Sequence, residues 1–273
     1  MSTLREHEWR WKAGGGYYTT NVAELEHDPR LPDLRKRRDH AFSTIFDRLL
    51  PRTGRPAVLE LGCGASQWLP YLAIRKDCRV TGLDYEPSAA ELTAANLRGA
   101  GAAGTILCRD AFDVAANADL AGSFDLVYST GLVEHFDDVV PRLRAIRTFV
   151  RPGGLIFTTV PNLQGVNWLL QRFGDVRILE THVVYDTERL RRRHEEAGFE
   201  TLEAGYTGFY DGYVSATAPS TPERRRRIHQ VLCRTSNLAA HAWLRLTRGR
   251  LAPELAWLAP AVYYVGRRAA PAL

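Results

Sequence analysis

The chain has 273 residues, 45% of them hydrophobic, enough to bury the core of one sizeable α/β domain with elaborations. Its net charge is +5, but Lys12, Lys36 and Lys76 are the only lysines, so arginine supplies nearly all the positive charge beside abundant alanine. A GC-rich bacterial genome writes that pairing through codon usage, so the basic balance by itself names neither nucleic acid nor a membrane surface as partner.

Cys63, Cys78, Cys108 and Cys233 lack the close pairing of a zinc or redox motif, and no leader is expected ahead of them. The most apolar C-terminal run, "LAPELAWLAPAVYYVG", is broken by prolines and a glutamate, so no membrane span is expected. The expected compartment is a reducing cytoplasm.

Residues 1–50 read as a mostly helical preface, with Trp9, Trp11, Tyr17 and Tyr18, and with "GGG" at 14–16 as the hinge of a lid. From residue 57 to 160, short apolar runs alternate with helical patterns, the signature of βαβ units and a parallel sheet. Strands are expected at Ala57 to Leu61, Arg79 to Leu83, Thr105 to Cys108, Phe124 to Ser129 and Leu155 to Val160. A helix through Val139, Leu143, Ile146 and Val150 has Asp138 placed to cap it and Gly153 just past its end. Another, Thr187 to Ala197, starts after Asp186 and stops at Gly198. Two further strands, around Glu200 to Val214 and Ala261 to Val265, bring the number to seven. The stretch from about 220 to 258 between them is too long for a turn and reads as a helical insertion, leaving 51–273 as the main domain.

"VLELGCGAS", Val58 to Ser66, carries a strand into a glycine turn, which lets backbone approach a ligand at the carboxyl edge of the sheet. The dinucleotide fingerprint would need a third glycine where Gln67 stands, and Glu60 would oppose a pyrophosphate. A carboxylate there suits a positively charged ligand. Twenty residues after Gly64, "GLDYEP" places Asp84 to accept from both hydroxyls of a ribose and Tyr85 to cover an adenine face. "CRDAF" offers Asp110 to an exocyclic amine. Each acid also has an ordinary role: Glu60 or Asp110 as a cap, Asp84 as the end of a strand. Together they outline a pocket for a nucleoside with a cationic amino-acid tail, which is S-adenosylmethionine.

With "FDLVYSTGLVEHFDD" and "RPGGLIFTTVPN" following in order, the chain resembles the class I S-adenosylmethionine-dependent methyltransferases, best over residues 55–160. That resemblance implies a Rossmann-like seven-stranded sheet with helices on both faces and its last strand antiparallel beside the fifth. Carried onto this sequence, it implies that Glu60, Gly62 and Gly64 meet the methionine part, Asp84 the ribose, and Asp110 with Ala111 the adenine. Ser129 and Gly131 would line the methyl end, with Cys63 a small residue of the turn.

Methyl transfer is an in-line displacement in which the protein aligns the reactants and removes a proton. His135, after the fourth strand, and His182, in "ETHVVYD", are the candidate bases, and the sequence calls for no metal. A small or medium acceptor with an apolar or aromatic body, which the resemblance implies is methylated at oxygen in preference to nitrogen or carbon, is expected to meet Tyr17, Tyr18, Trp168, Tyr185, Phe209 and Tyr210. Arg191 to Arg193 and Arg224 to Arg227 raise RNA as a rival substrate, yet consecutive helical residues point around the axis and make no stripe. A non-catalytic scaffold that keeps the fold is the other alternative. A monomer or homodimer serving bacterial secondary or cofactor metabolism fits these features.

Overall fold

A computed structural model describes residues 34–51, 53–218 and 220–270. Tyr17, Tyr18 and the expected glycine hinge lie outside the described residues.

The apolar runs become the inner strands of a sheet covered on both faces. β1 (Ala57–Leu61) is buried at every position and pairs in parallel with β2 (Arg79–Asp84) and β4 (Phe124–Thr130). β3 (Thr105–Cys108) lies outside β2, and β5 (Val150–Pro161) outside β4. β7 (Ala261–Arg268) runs antiparallel between β5 and β6 (Phe199–Thr207), so the order is β3-β2-β1-β4-β5-β7-β6. Strand order reverses between β1 and β4, and in open sheets the ligand crevice lies there, beyond the carboxyl ends.

Alternation along the strands divides the core in two. Val58, Leu126, Tyr128, Phe157 and Tyr263 face α1 (Leu34–Leu49) and α2 (Trp68–Arg75), while α3 (Pro87–Gly99) adds Leu97 to the same layer. Leu59, Leu61, Val127, Ile156, Val262 and Tyr264 face α4 (Val139–Phe149) and α7 (Thr187–Glu196). The helix of the expected preface is therefore embedded in the main core: Phe46 of α1 is fully buried, with ring centroids 5.1 Å from Tyr128, 5.4 Å from Trp68 and 5.5 Å from Phe157.

α5 (Gly165–Gly174) and α6 (Val176–Thr181) lead from β5 toward α7. The insertion is one long helix, α8 (Glu223–Leu246), which packs on α5 and encloses a satellite cluster of Leu34, Leu170, Phe209, Tyr210 and Leu244. Asn162 and Asn167 hold the chain returning from α8 by donating to the carbonyls of Ala256 and Ala259.

One cap and two strand boundaries differ from the sequence reading. Asp138 makes no side-chain cap at α4, whereas Asp186 accepts from the Arg189 N–H at 2.6 Å. β5 starts five residues early because the chain turns directly from α4 into the strand, with Gly153 inside it at φ 74°. β6 ends at Thr207, where Gly208 adopts φ 83° against Pro260 and the chain turns into a 3-10 turn at Gly212–Val214.

Candidate active site

The β1–α2 turn closes on itself. Gly62 and Gly64 sit at φ 65° and 42°, where a side chain would be strained. The N–H groups of Gly62 and Cys63 donate to Leu83 O at 2.8 and 3.3 Å, and that of Ser66 donates to Thr93 Oγ1. The turn therefore offers a ligand room more than donors: a Cβ on Gly64 would meet nothing nearer than Gly62 O at 4.0 Å. Cys63 is buried beneath the turn, and burial pushes its thiol well above the ordinary range.

Glu60 lies under this turn. It is 2% exposed, faces Tyr128 across the β1–β4 register, and accepts from the Tyr128 hydroxyl at 2.8 Å and from the Ser66 hydroxyl. Ser66 Oγ in turn accepts from the Trp68 and Leu69 N–H groups at 3.2 and 3.0 Å, so it caps α2. The carboxyl thereby couples the strand end to the helix start. Desolvation raises its pKa to about 8 against the two hydrogen bonds, with the nearby Asp84 charge adding to the rise. The sequence singled out Glu60 and missed both its partners, since Tyr128 comes opposite only once register is known.

Asp84 ends β2 with each carboxylate oxygen accepting one backbone N–H, Gly64 at 2.8 Å and Glu86 at 2.9 Å. A carboxylate has about four acceptor positions, so one remains on each oxygen, the number that a vicinal diol requires. Tyr85 beside it is 66% exposed, with its ring uncovered by the protein. Asp110, at the end of β3, is exposed and accepts from the Phe112 N–H at 2.8 Å; Ala111 is buried next to it. Room beside Gly64, a diol acceptor at Asp84, an open aromatic face and an exposed acid make a donor-and-acceptor set that fits a nucleoside cofactor with a cationic tail.

Beyond β4, Ser129 is buried and Gly131 turns the chain at φ 71°, its N–H on Thr159 O at 2.9 Å. A cavity of about 260 Å³ opens here, lined by Phe42, Trp68, Thr130, Gly131, Val214 and Pro260 among others. Arg38 and Asp39 bring charge to its wall, with Arg38 donating to Asp211 at 3.0 Å.

The aromatic residues expected in the acceptor pocket, among those described, do not line this cavity. Tyr185 is in the main core, Phe209 and Tyr210 are in the satellite cluster, and Trp168 projects outward beneath the Arg172 guanidinium at 5.3 Å. Large apolar rings gain more from burial in a core than from lining an open cavity. The lining residues the sequence missed come from α1, the start of α2, the end of β5, the 3-10 turn at Gly212–Val214 and the start of β7; no single motif carries them.

The two candidate histidines converge. His135 sits in the 3-10 turn Val133–His135 and His182 follows α6, yet their ring centroids are 4.6 Å apart. The Val183 N–H donates to Glu134 O at 2.7 Å and ties the two segments together. Glu134 is 3% exposed, and one ligand atom from each of Glu134, His135 and His182 falls within 4.8 Å of the others. Burial pushes the Glu134 pKa up to about 8. Its Oε1 lies 3.4 Å from where a Cβ on Gly131 would be, so the cluster adjoins the cavity.

A family profile described as a methyltransferase domain matches residues 34–204. Among curated proteins, the chain is 30% identical over 122 residues to a ubiquinone biosynthesis O-methyltransferase of Chromobacterium violaceum, 45% of this chain and 51% of that protein. It is 30% identical over 156 residues to the protein of that name from Methylocella silvestris, 57% and 59% of the two chains. The match thus spans about half the length of these relatives. Among solved structures, a candidate methyltransferase of Bacillus halodurans superposes with a TM-score of 0.60 at 12% identity, covering 84% of this chain and 99% of that one. Phosphoethanolamine N-methyltransferase 2 of Haemonchus contortus, solved with S-adenosyl-L-methionine, superposes with a TM-score of 0.53 at 16% identity, covering 83% and 52%.

Proposed function

From the premise that this chain belongs to the methyltransferase-domain family and is a class I S-adenosylmethionine-dependent methyltransferase, we propose that it methylates an oxygen of a small organic acceptor held in the cavity beyond Gly131. The observation that carries this reading is the position of that cavity, lined in part by Thr130 and Gly131, where the cofactor's methyl end would lie. The names of the curated relatives support oxygen as the acceptor atom.

The cofactor supplies an electrophilic methyl group on a sulfonium. Asp84 would hold the ribose through its two remaining acceptor positions, Tyr85 would cover the adenine, and Asp110 with Ala111 would meet the adenine edge. Gly62 and Gly64 would let the amino-acid tail come close, with Glu60 holding the turn from beneath and Ser129 and Gly131 shaping the methyl end. Phe42, Trp68 and Val214 would align the acceptor and exclude water, which leaves little beyond positioning for the protein to do. The remaining task, making the acceptor oxygen an effective nucleophile, we assign to the cluster of Glu134, His135 and His182.

The arginine runs favour this reading over RNA. Arg191 is paired with Glu188 and Glu195, Arg193 with Glu196, and Arg227 with Glu223, while Arg225 donates to the carbonyls of Arg172 and Phe173. Guanidinium groups already engaged this way make poor phosphate clamps. No helix among the described residues is long and apolar enough to cross a membrane.

Incubation with methyl-labelled S-adenosylmethionine and a fractionated bacterial extract tests the reading. Label in the metabolite fraction is the expected result. Label in RNA would replace the substrate class, and cofactor binding with no label transferred anywhere would make the chain a scaffold.

A further inference from the structure

We propose that Glu134, His135 and His182 form a divalent-metal site suited to zinc, and that the metal's open position takes the acceptor hydroxyl and acidifies it. The proposal rests on the reading of the adjoining cavity as the acceptor site. Two imidazoles and one carboxylate converge from two separate segments of chain, with one ligand atom of each within 4.8 Å of the others. Zinc bound at about 2.0 Å in a tetrahedron holds its ligands roughly 3.3 Å apart, so closure requires on the order of 1 Å of side-chain motion per ligand.

Three features point to a cation there. Glu134 Oε2 is buried and accepts no hydrogen bond among the described residues, an arrangement that folded proteins rarely leave uncompensated. His182 Nδ1 lies 2.9 Å from Ile178 O, and a carbonyl can only accept, so Nδ1 carries the proton and the Nε2 lone pair is the ligating atom. A metal-ligating histidine characteristically has its other nitrogen fixed in this way. The Val183–Glu134 backbone bond then holds both segments in register, so the cluster does not depend on loose side chains alone.

Two nitrogens and one oxygen exclude the all-oxygen preference of calcium and magnesium. Methyl transfer changes no metal oxidation state, and three protein ligands with an open fourth position is the pattern of a catalytic zinc. Glu134 Oε1 lies 3.4 Å from where a Cβ on Gly131 would be, and Gly131 lines the cavity, so the cluster neighbours the acceptor site. In the step itself the acceptor O–H bond breaks, its electron pair stays on oxygen, and the proton leaves to solvent. An anionic oxygen is then ready to receive the methyl group.

The test takes the full chain, strips it with chelator, dialyses it against zinc chloride and measures bound metal by mass spectrometry, with cobalt absorption as a second readout. Wild type and His241→Ala, on the insertion helix, should each hold one zinc. His182→Ala and Glu134→Gln should bind it at least tenfold more weakly while melting at the metal-free wild-type temperature. Equal zinc binding by wild type and both ligand variants would overturn the proposal, as would full methyl transfer by the stripped protein. Zinc held at this site by a protein that methylates no small molecule would overturn the acidifying role and, separately, the functional reading, leaving the metal site in place.

Discussion

Replacing Glu60 with glutamine tests the electrostatics under the glycine turn. In the folded protein its pKa is raised from 4.5 to about 8, so between those values the native state keeps a proton that the unfolded chain releases. The unfolded state then binds fewer protons, and stability falls as pH rises, by up to ~1.4 kcal/mol per unit. From pH 6 to pH 8 this group alone takes about 2 kcal/mol from the wild type, and above its folded pKa the profile flattens. Glutamine keeps an acceptor oxygen for Ser66 and Tyr128 at nearly the same volume and cannot ionise. Urea titrations of the cofactor-free protein should show the variant's midpoint moving less with pH than the wild type's, by roughly 0.5–1 M over that range. Wild-type and variant profiles that run parallel from pH 6 to pH 8 would refute the reasoning, for Glu60 would then be ionised throughout.

Asp84→Asn should raise the dissociation constant for S-adenosylmethionine by roughly 10- to 100-fold in calorimetry, since its amide group must oppose either the Gly64 or the Glu86 N–H and can accept from only one hydroxyl. Val214→Trp should raise the acceptor KM by about tenfold or more in steady-state assays while leaving cofactor affinity within twofold, because it narrows the cavity without touching the turn.

The strands that would hold the cofactor are legible in the sequence because they are short, largely apolar and followed by acids at or near their ends. Asp84 is found twenty residues after Gly64, and Asp110 in the run that follows the third strand. The acceptor half is not legible, since its lining comes from segments far apart in the chain and its composition matches that of a core. Phe209 and Tyr210 show the ambiguity: an aromatic pair after a strand suits a pocket wall as well as a satellite cluster, and what decides is α8 lying over them. His135 and His182 were each nameable as reactive residues, but that they meet depends on how the 3-10 turn after β4 packs on the end of α6. Asp138, a good cap by sequence, leaves α4 uncapped because local preference yields to the path of the loop.

The asparagine clamps on the returning chain have an engineering consequence. Val214 lies ahead of the insertion at 220–258 and Pro260 and Ala261 directly after it, so the insertion leaves and re-enters the fold at the cavity wall. Asn162 and Asn167 secure the re-entry from β5 and α5, without using any part of the cofactor turn. Residues 220–258 line none of the cavity themselves, so redesign of the insertion would reach the acceptor only by shifting Val214, Pro260 and Ala261 at its two ends, leaving the methyl-donor turn unaltered.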